Sequence, residues 1–235
     1  MNKKIILIAF LTLGGMQYGH AQKKKNKGKD MQIEEKLTTA LDSVSYSIGV
    51  SIASNLKSQG IDSLNTKMME KAFNDVFKNG TLLVSADQAD QILTQYFTNL
   101  QKSKGERNLK EGEKFLEENK KKQGVVTLPS GLQYQVIKEG DGALPKETDK
   151  VTTHYHGTLL NGTVFDSSVE RGQPATFPVN GVIKGWVEAL QLMKVGSKYK
   201  LFIPANLAYG EAGAPPQIGP NSALIFEVEL LSIDK

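Results

Sequence analysis

Cysteine is absent from all 235 residues. That excludes disulfide scaffolds, thiolate zinc sites, cysteine nucleophiles and a lipidated N-terminal cysteine. Histidine is scarce, at three per chain, so an imidazole-based triad or metal centre has little to draw on. A large excess of one charge is missing too. The net charge is +4, but seven lysines against Asp30 in the first thirty residues account for more than all of it, and the remainder is slightly acidic. A nucleic-acid-binding surface on the folded part is therefore not expected. Hydrophobic residues make up 39% and charged residues 23%, within the range of globular proteins, and the length suits one large domain or two small ones.

What is present begins with an address. Lys3 and Lys4 precede the apolar run Ile5 to Leu13, which is too short to span a bilayer as a mature helix. Gly19 and Ala21 place small residues three and one before a cut, so residues 1–21 are read as a cleaved signal peptide, with the periplasm as destination. An uncleaved anchor helix is the competing reading. Residues 22–34, with Lys23, Lys24, Lys25, Lys27 and Lys29, have no apolar periodicity and are expected to form a basic flexible tail.

Residues 35–123 carry helical periodicity. Leu37, Leu41, Val44, Ile48, Ile52 and Leu56 recur every three or four positions, up to Gly60 and Asp62. Met68, Met69, Ala72, Phe73, Val76 and Phe77 form a second stripe, closed by Asn79-Gly80. Ser85-Ala86-Asp87-Gln88 is a capping box opening a third helix. Its stripe of Ile92, Leu93, Tyr96, Phe97 and Leu100 thins to Leu109, Phe115 and Leu116. If unbroken over 86–123 it spans about 57 Å, although Gly105 and Gly112 each weaken it by about 1 kcal/mol relative to alanine. Three such helices cannot hide their stripes alone, which points to a homodimer through residues 35–100.

At Gly124 the pattern changes to strands: 132–137, 151–156, a hairpin over 159–165 with Asn161-Gly162 at its turn, 198–204 and 223–231. Only 186–193 reads as helical. The fold class is α+β, an all-helical N-terminal part with a long connecting helix, then an antiparallel sheet of about five strands around one short helix. Residues 124–235 make the second domain.

The usual catalytic signatures are missing: there is no nucleophile elbow, P-loop or dinucleotide fingerprint. His154 and His156 share one face of a strand, but no third ligand sits at metal spacing, so no metal and no cofactor is expected. What stands out is aromatic. Tyr155, Phe165, Phe177, Trp186, Tyr209 and Phe226 lie beside sharp turns, in segments that also hold Asp166, Arg171, Val182 and Ile183. They form either a well-filled core or an apolar pocket floored by the single tryptophan.

The order of these segments carries a resemblance. Gly131-Leu132-Gln133-Tyr134, His154-Tyr155-His156-Gly157, Phe165-Asp166-Ser167-Ser168, Val182-Ile183-Lys184-Gly185-Trp186, Leu207-Ala208-Tyr209-Gly210 and Leu224-Ile225-Phe226-Glu227-Val228-Glu229-Leu230 resemble the FKBP-type peptidyl-prolyl isomerases. The helical half is similar to the N-terminal domain of that family's bacterial two-domain members, the macrophage infectivity potentiator and FkpA group. The resemblance implies rotation about X-Pro bonds in exported polypeptide clients. It implies catalytic roles for Tyr155, Phe165, Asp166, Trp186, Tyr209 and Phe226, and substrate binding by Arg171, Phe177, Val182, Ile183 and Ile218. A macrolide would be a candidate ligand. Ala175 and Ala214 replace a Phe and a His common in single-domain members, which implies altered peptide or macrolide preference. A holdase chaperone, or a Pro-peptide binding module with a vestigial site, stands as the alternative.

Overall fold

The computed structural model describes residues 36–234; the signal peptide and basic tail read from the sequence lie outside them. The chain divides into two units between Ser51 and Ile52, inside the first helix. That helix, α1 (Ala40–Ser58), starts after a reciprocal cap. The Asp42 amide donates to Thr39 Oγ1 at 3.0 Å, and the Thr39 amide donates to Asp42 Oδ2 at 2.8 Å. The predicted stripe begins at Leu37, but this cap sets the helix start three residues later. Helix α2 (Thr66–Phe77) is capped by Asn65 Oδ1, which accepts from the Met68 amide, and ends where Asn79 turns to φ 52°. No residue of α1 or α2 is buried. Leu41 is 74% and Phe77 79% exposed, so these amphipathic helices present their apolar faces to solvent.

Helix α3 (Ala86–Asn119) opens on the predicted capping box, with both Ser85–Gln88 hydrogen bonds formed. Its 34 residues run about 51 Å at 1.5 Å per residue, shorter than the full 86–123 span. Gly105 and Gly112 do not break it. Both are buried because the helix docks there on the loop that precedes the last strand. A β-carbon at Gly105 would sit 3.4 Å from Pro220 Cβ, and one at Gly112 would sit 3.1 Å from Ala223 Cβ. The two glycines cost helix propensity and allow close approach of the backbone. The docking continues with Phe115 against Phe202, ring centroids 5.9 Å apart. The buried Asn119 amide then donates to Gln133 Oε1, while Gln133 Nε2 donates to the Leu116 carbonyl, each at 2.9 Å. The second half of α3, read from the sequence as a connecting helix with a thinning apolar stripe, is thus part of the sheet domain's packing.

The sheet is antiparallel throughout, with seven strands: β1 (Val125–Thr127), β2 (Gln133–Lys138), β3 (Lys150–Leu159), β4 (Val164–Ser167), β5 (Ala175–Pro178), β6 (Lys198–Ile203) and β7 (Leu224–Asp234). Their order is β1-β2-β6-β7-β3-β4, with β5 also on β3. The three-residue β1 and the four-residue β5 were not anticipated. In the β3–β4 hairpin only Gly162 takes positive φ, at 85°. Asn161 instead accepts the Thr163 amide on its side chain, so the turn is not the two-residue type with both φ positive. Central strands β3 and β7 alternate inward and outward. Val151, Thr153 and Tyr155 face the core, with Thr153 opposite Leu230, Tyr155 opposite Val228 and Gly157 opposite Phe226. Helix α4 (Lys184–Leu190) lays Trp186, Ala189 and Leu190 onto this face. It comes close because residue 185 is glycine: a β-carbon there would meet Ile203 Cγ2 at 2.6 Å. Among the described residues no helix is long and apolar enough to cross a membrane.

Candidate functional site

A cleft of about 420 Å³ opens over α4, lined by Tyr155, Phe165, Asp166, Phe177, Gly181, Val182, Ile183, Trp186, Tyr209 and Phe226. The lining residues come from several separate segments of the chain. Tyr155 is on β3, Phe165 and Asp166 on β4, and Phe177 on β5. Val182 and Ile183 lead into α4, Trp186 lies in its first turn, Tyr209 follows β6, and Phe226 is on β7. Trp186 lies edge-to-face against three rings, with centroids 5.2 Å from Phe226, 5.4 Å from Tyr155 and 6.0 Å from Phe177. Phe165 meets Phe226 at 5.3 Å, again edge-on. Such pairs favour this geometry through their quadrupoles. The Trp186 indole Nε1 is buried without an acceptor among the described residues, so shape rather than a hydrogen bond fixes the ring.

One wall is charged. The Tyr155 hydroxyl donates to Asp166 Oδ2 at 2.6 Å, Arg171 Nη1 pairs with Asp166 Oδ1, and Arg171 Nη2 donates to the Tyr155 oxygen at 2.8 Å. The guanidinium also lies 5.6 Å from the Tyr155 ring centroid. Burial pulls the Asp166 carboxyl upward, but the hydrogen bonds from Tyr155 and Arg171 outweigh it and hold the group below its ordinary 3.8. Burial, then the Asp166 bond, pushes the Tyr155 phenol up. Asp166 is therefore an anion, and Tyr155 neutral, across the physiological range. Because the folded-state carboxyl titrates lower than the unfolded one, its contribution to stability is present above pH 3.8 and fades as pH falls through the folded value. At 44% side-chain exposure that contribution is small. We expect turnover to be flat from about pH 5 to 9 and to fall only on the acid side. Asp166→Asn should lower the plateau and abolish the acid limb, and a limb that persists in this variant would assign it to another group.

Two residues of the lining carry unused donors. The Ile183 amide, preceding α4, and the Tyr209 hydroxyl have no acceptor among the described residues. Burial, then the nearby Asp166, raises the Tyr209 phenol, keeping it protonated as a donor. Gly157 supports the walls from behind. A β-carbon there would fall 2.7 Å from Phe165 Cζ and 2.8 Å from Phe226 Cε1. Gly157→Ala is expected to displace both rings and reduce kcat/KM at least about tenfold; an alanine variant with unchanged kinetics would show that the walls tolerate the shift.

Ten of the eleven residues singled out from the sequence gather here, nine on the lining and Arg171 behind Asp166. Ile218 does not. It is 4% exposed in the core and exchanges both backbone hydrogen bonds with Ala214. Its apolar side chain completes the packing beneath the loop instead of walling the cleft. Gly181 lines the cleft without having been anticipated, and a residue with no side chain leaves no signal of that kind. His154 and His156 each bond a serine, Ser168 at 3.1 Å and Ser167 at 3.0 Å.

The chain has relatives among known proteins. The family model described as FKBP-type peptidyl-prolyl cis-trans isomerase matches residues 142–231, and that for the domain amino terminal to it matches residues 41–136. The outer membrane protein MIP of Legionella longbeachae is 45% identical over 206 residues, covering 85% of this chain and 88% of that protein. The chain belongs to the FKBP-type peptidyl-prolyl cis-trans isomerases. An FKBP-type 22 kDa peptidyl-prolyl cis-trans isomerase of Escherichia coli K12 is 47% identical over 192 residues, covering 80% of this chain and 93% of the relative. Among solved structures, FkpA from Escherichia coli superposes with a TM-score of 0.66 at 36% identity, covering 84% of this chain and 98% of that one. The similarity therefore includes the helical half, not the isomerase domain alone.

Proposed function

We propose that this isomerase rotates X-Pro bonds in exported proteins within the periplasm, after residues 1–21 have been removed. The observation that carries the site assignment is the aromatic cleft floored by Trp186 and edged by unused donors. A planar X-Pro amide is more dipolar than its twisted form, and the barrier to rotation is about 18–20 kcal/mol for peptide bonds. A dry aromatic cleft disfavours the dipolar ground state more than the twisted one, so it lowers the barrier by differential binding. No proton transfer is required.

Trp186 carries the prolyl ring, with Phe165, Phe226 and Tyr155 as walls and Phe177 and Val182 closing the sides. The Ile183 amide and Tyr209 hydroxyl hold substrate carbonyls, and ionised Asp166 sets the field along the twisting bond. A macrolide with a proline-like ring would compete for the same cleft. Residues 35–123 and 124–235 act as the two functional domains, and the exposed stripes of the helices pair a second copy of the chain into a dimer that grips unfolded clients.

A protease-coupled assay on a short Pro peptide tests the enzyme. Acceleration of cis-to-trans conversion is expected, and a purified chain with no acceleration would leave the Pro-peptide binding module as the better reading.

A further inference from the structure

Besides its contacts with Phe202 and Gln133, helix α3 meets the isomerase domain at a loop, the segment that leaves the cleft at Tyr209 and returns at β7. The loop is closed at its base by the Asn221 amide, which donates to the Gly210 carbonyl at 2.8 Å; Gly210 takes φ 57° and Asn221 φ 54°. Asn108, in the middle of α3, sits on this closure. Its Nδ2 donates to the Pro220 carbonyl at 2.8 Å and lies 3.3 Å from Ser222 Oγ, while Ser222 Oγ donates to the Gly219 carbonyl at 2.9 Å. One turn earlier, Gly105 lets the helix backbone approach Pro220 and Asn221: a β-carbon there would lie 3.2 Å from Asn221 Nδ2. The next residue before the closure is Tyr209, whose hydroxyl is free and whose side chain is 41% exposed at the cleft rim.

We propose that α3 is a positioning element for the isomerase site, with Asn108 acting through Pro220, Asn221 and Gly210 to set the place of Tyr209. Two residues with positive φ hold the Gly210–Asn221 closure, a backbone region that a non-glycine residue such as Asn221 seldom adopts without support. A helix hydrogen bond to the carbonyl between them restrains the pair. Among the described residues no other hydrogen bond ties Pro220 to a regular element. The helical half thus influences catalysis at a single site as well as through any pairing of chains. The inference rests on Tyr209 contacting substrate, as proposed above.

A double-mutant cycle on the full-length protein tests it, with kcat/KM on a short Pro peptide, melting temperature and amide exchange of Asn221 as readouts. Asn108→Ala is expected to reduce kcat/KM about three- to tenfold, the size of one hydrogen bond, and to speed Asn221 exchange. Tyr209→Phe should cause a similar loss with Asn221 exchange unchanged. In the double variant the Asn108 effect on kcat/KM should vanish, because the hydroxyl it positions is gone. Equal fold-losses in both backgrounds, or Asn108→Ala with wild-type kinetics beside a slowed Tyr209→Phe, would overturn the coupling. A Tyr209→Phe variant with full activity would overturn the role of the hydroxyl instead, and Asn221 exchange in Asn108→Ala would then show separately whether the helix restrains the loop. Gly105→Ala, which crowds the same closure without removing a donor, is expected to repeat the Asn108 phenotype.

Discussion

Trp186→Ala is expected to lower kcat/KM on a Pro peptide by at least about a hundredfold and to destabilise the fold by about 3–5 kcal/mol, the cost of a large-to-small aromatic change in a core. Both effects have one origin. The ring is 4% exposed and stands edge-on to Tyr155, Phe177 and Phe226, so removing it empties the cleft floor and takes a partner from three walls at once. Its N–H makes no hydrogen bond among the described residues, and Trp186→Phe should therefore recover most of the stability while leaving the floor too small for full turnover. Tyr209→Phe behaves differently. Its ring stays in place and only a rim hydroxyl is lost, so the urea midpoint should stay within error while turnover falls. Urea midpoints and kcat/KM on the same preparations separate the two; equal destabilisation by Trp186→Ala and Tyr209→Phe would mean that the floor and rim assignments are misplaced.

The cleft was legible in the sequence because it is built of rare residue types at punctuated positions. A single tryptophan follows Val182-Ile183-Lys184-Gly185, and Phe165-Asp166 follows a turn. Such residues keep their identity wherever the chain folds. Ile218 stands apart from the cleft lining for the opposite reason. An isoleucine after a Pro-Pro pair looks the same whether it walls a cleft or fills the floor of its own loop, and only the paired backbone with Ala214 decides. The helical periods were equally readable, since caps such as Ser85–Gln88 are local. The fate of α3 was not. Gly105 and Gly112 read as weak points by propensity, but propensity describes an isolated helix. Their use for close approach to Pro220 and Ala223 is a tertiary fact more than a hundred positions away in the chain. Short strands β1 and β5 escaped because three or four residues are too few for a period.

That docking divides the helical half into two parts with separable roles. A chain beginning at Gln101 keeps Gly105, Asn108, Gly112, Phe115 and Asn119 on the sheet domain; one beginning at Gly124 loses all of them. The first truncation removes the exposed stripes of Leu41, Ile48, Phe73 and Phe77, so it is expected to sediment as a monomer and the full chain as the proposed dimer. It should turn over a short Pro peptide as the full chain does, because that substrate engages one cleft. It should nevertheless accelerate refolding of a proline-limited protein much less, since linked sites raise the effective concentration only for a client long enough to reach both. The second truncation should lose more. Uncovering Phe202, Gln133 and Ala223 lowers the melting temperature, by about 4–8 °C for each kcal/mol in a domain of this size. The loss of Asn108 should slow the short peptide as well. A full-length chain that is monomeric at micromolar concentration would remove the dimer from this account. Two truncations with the same peptide kinetics and the same melting temperature would show that the docking of the second half of α3 matters to neither the site nor the fold.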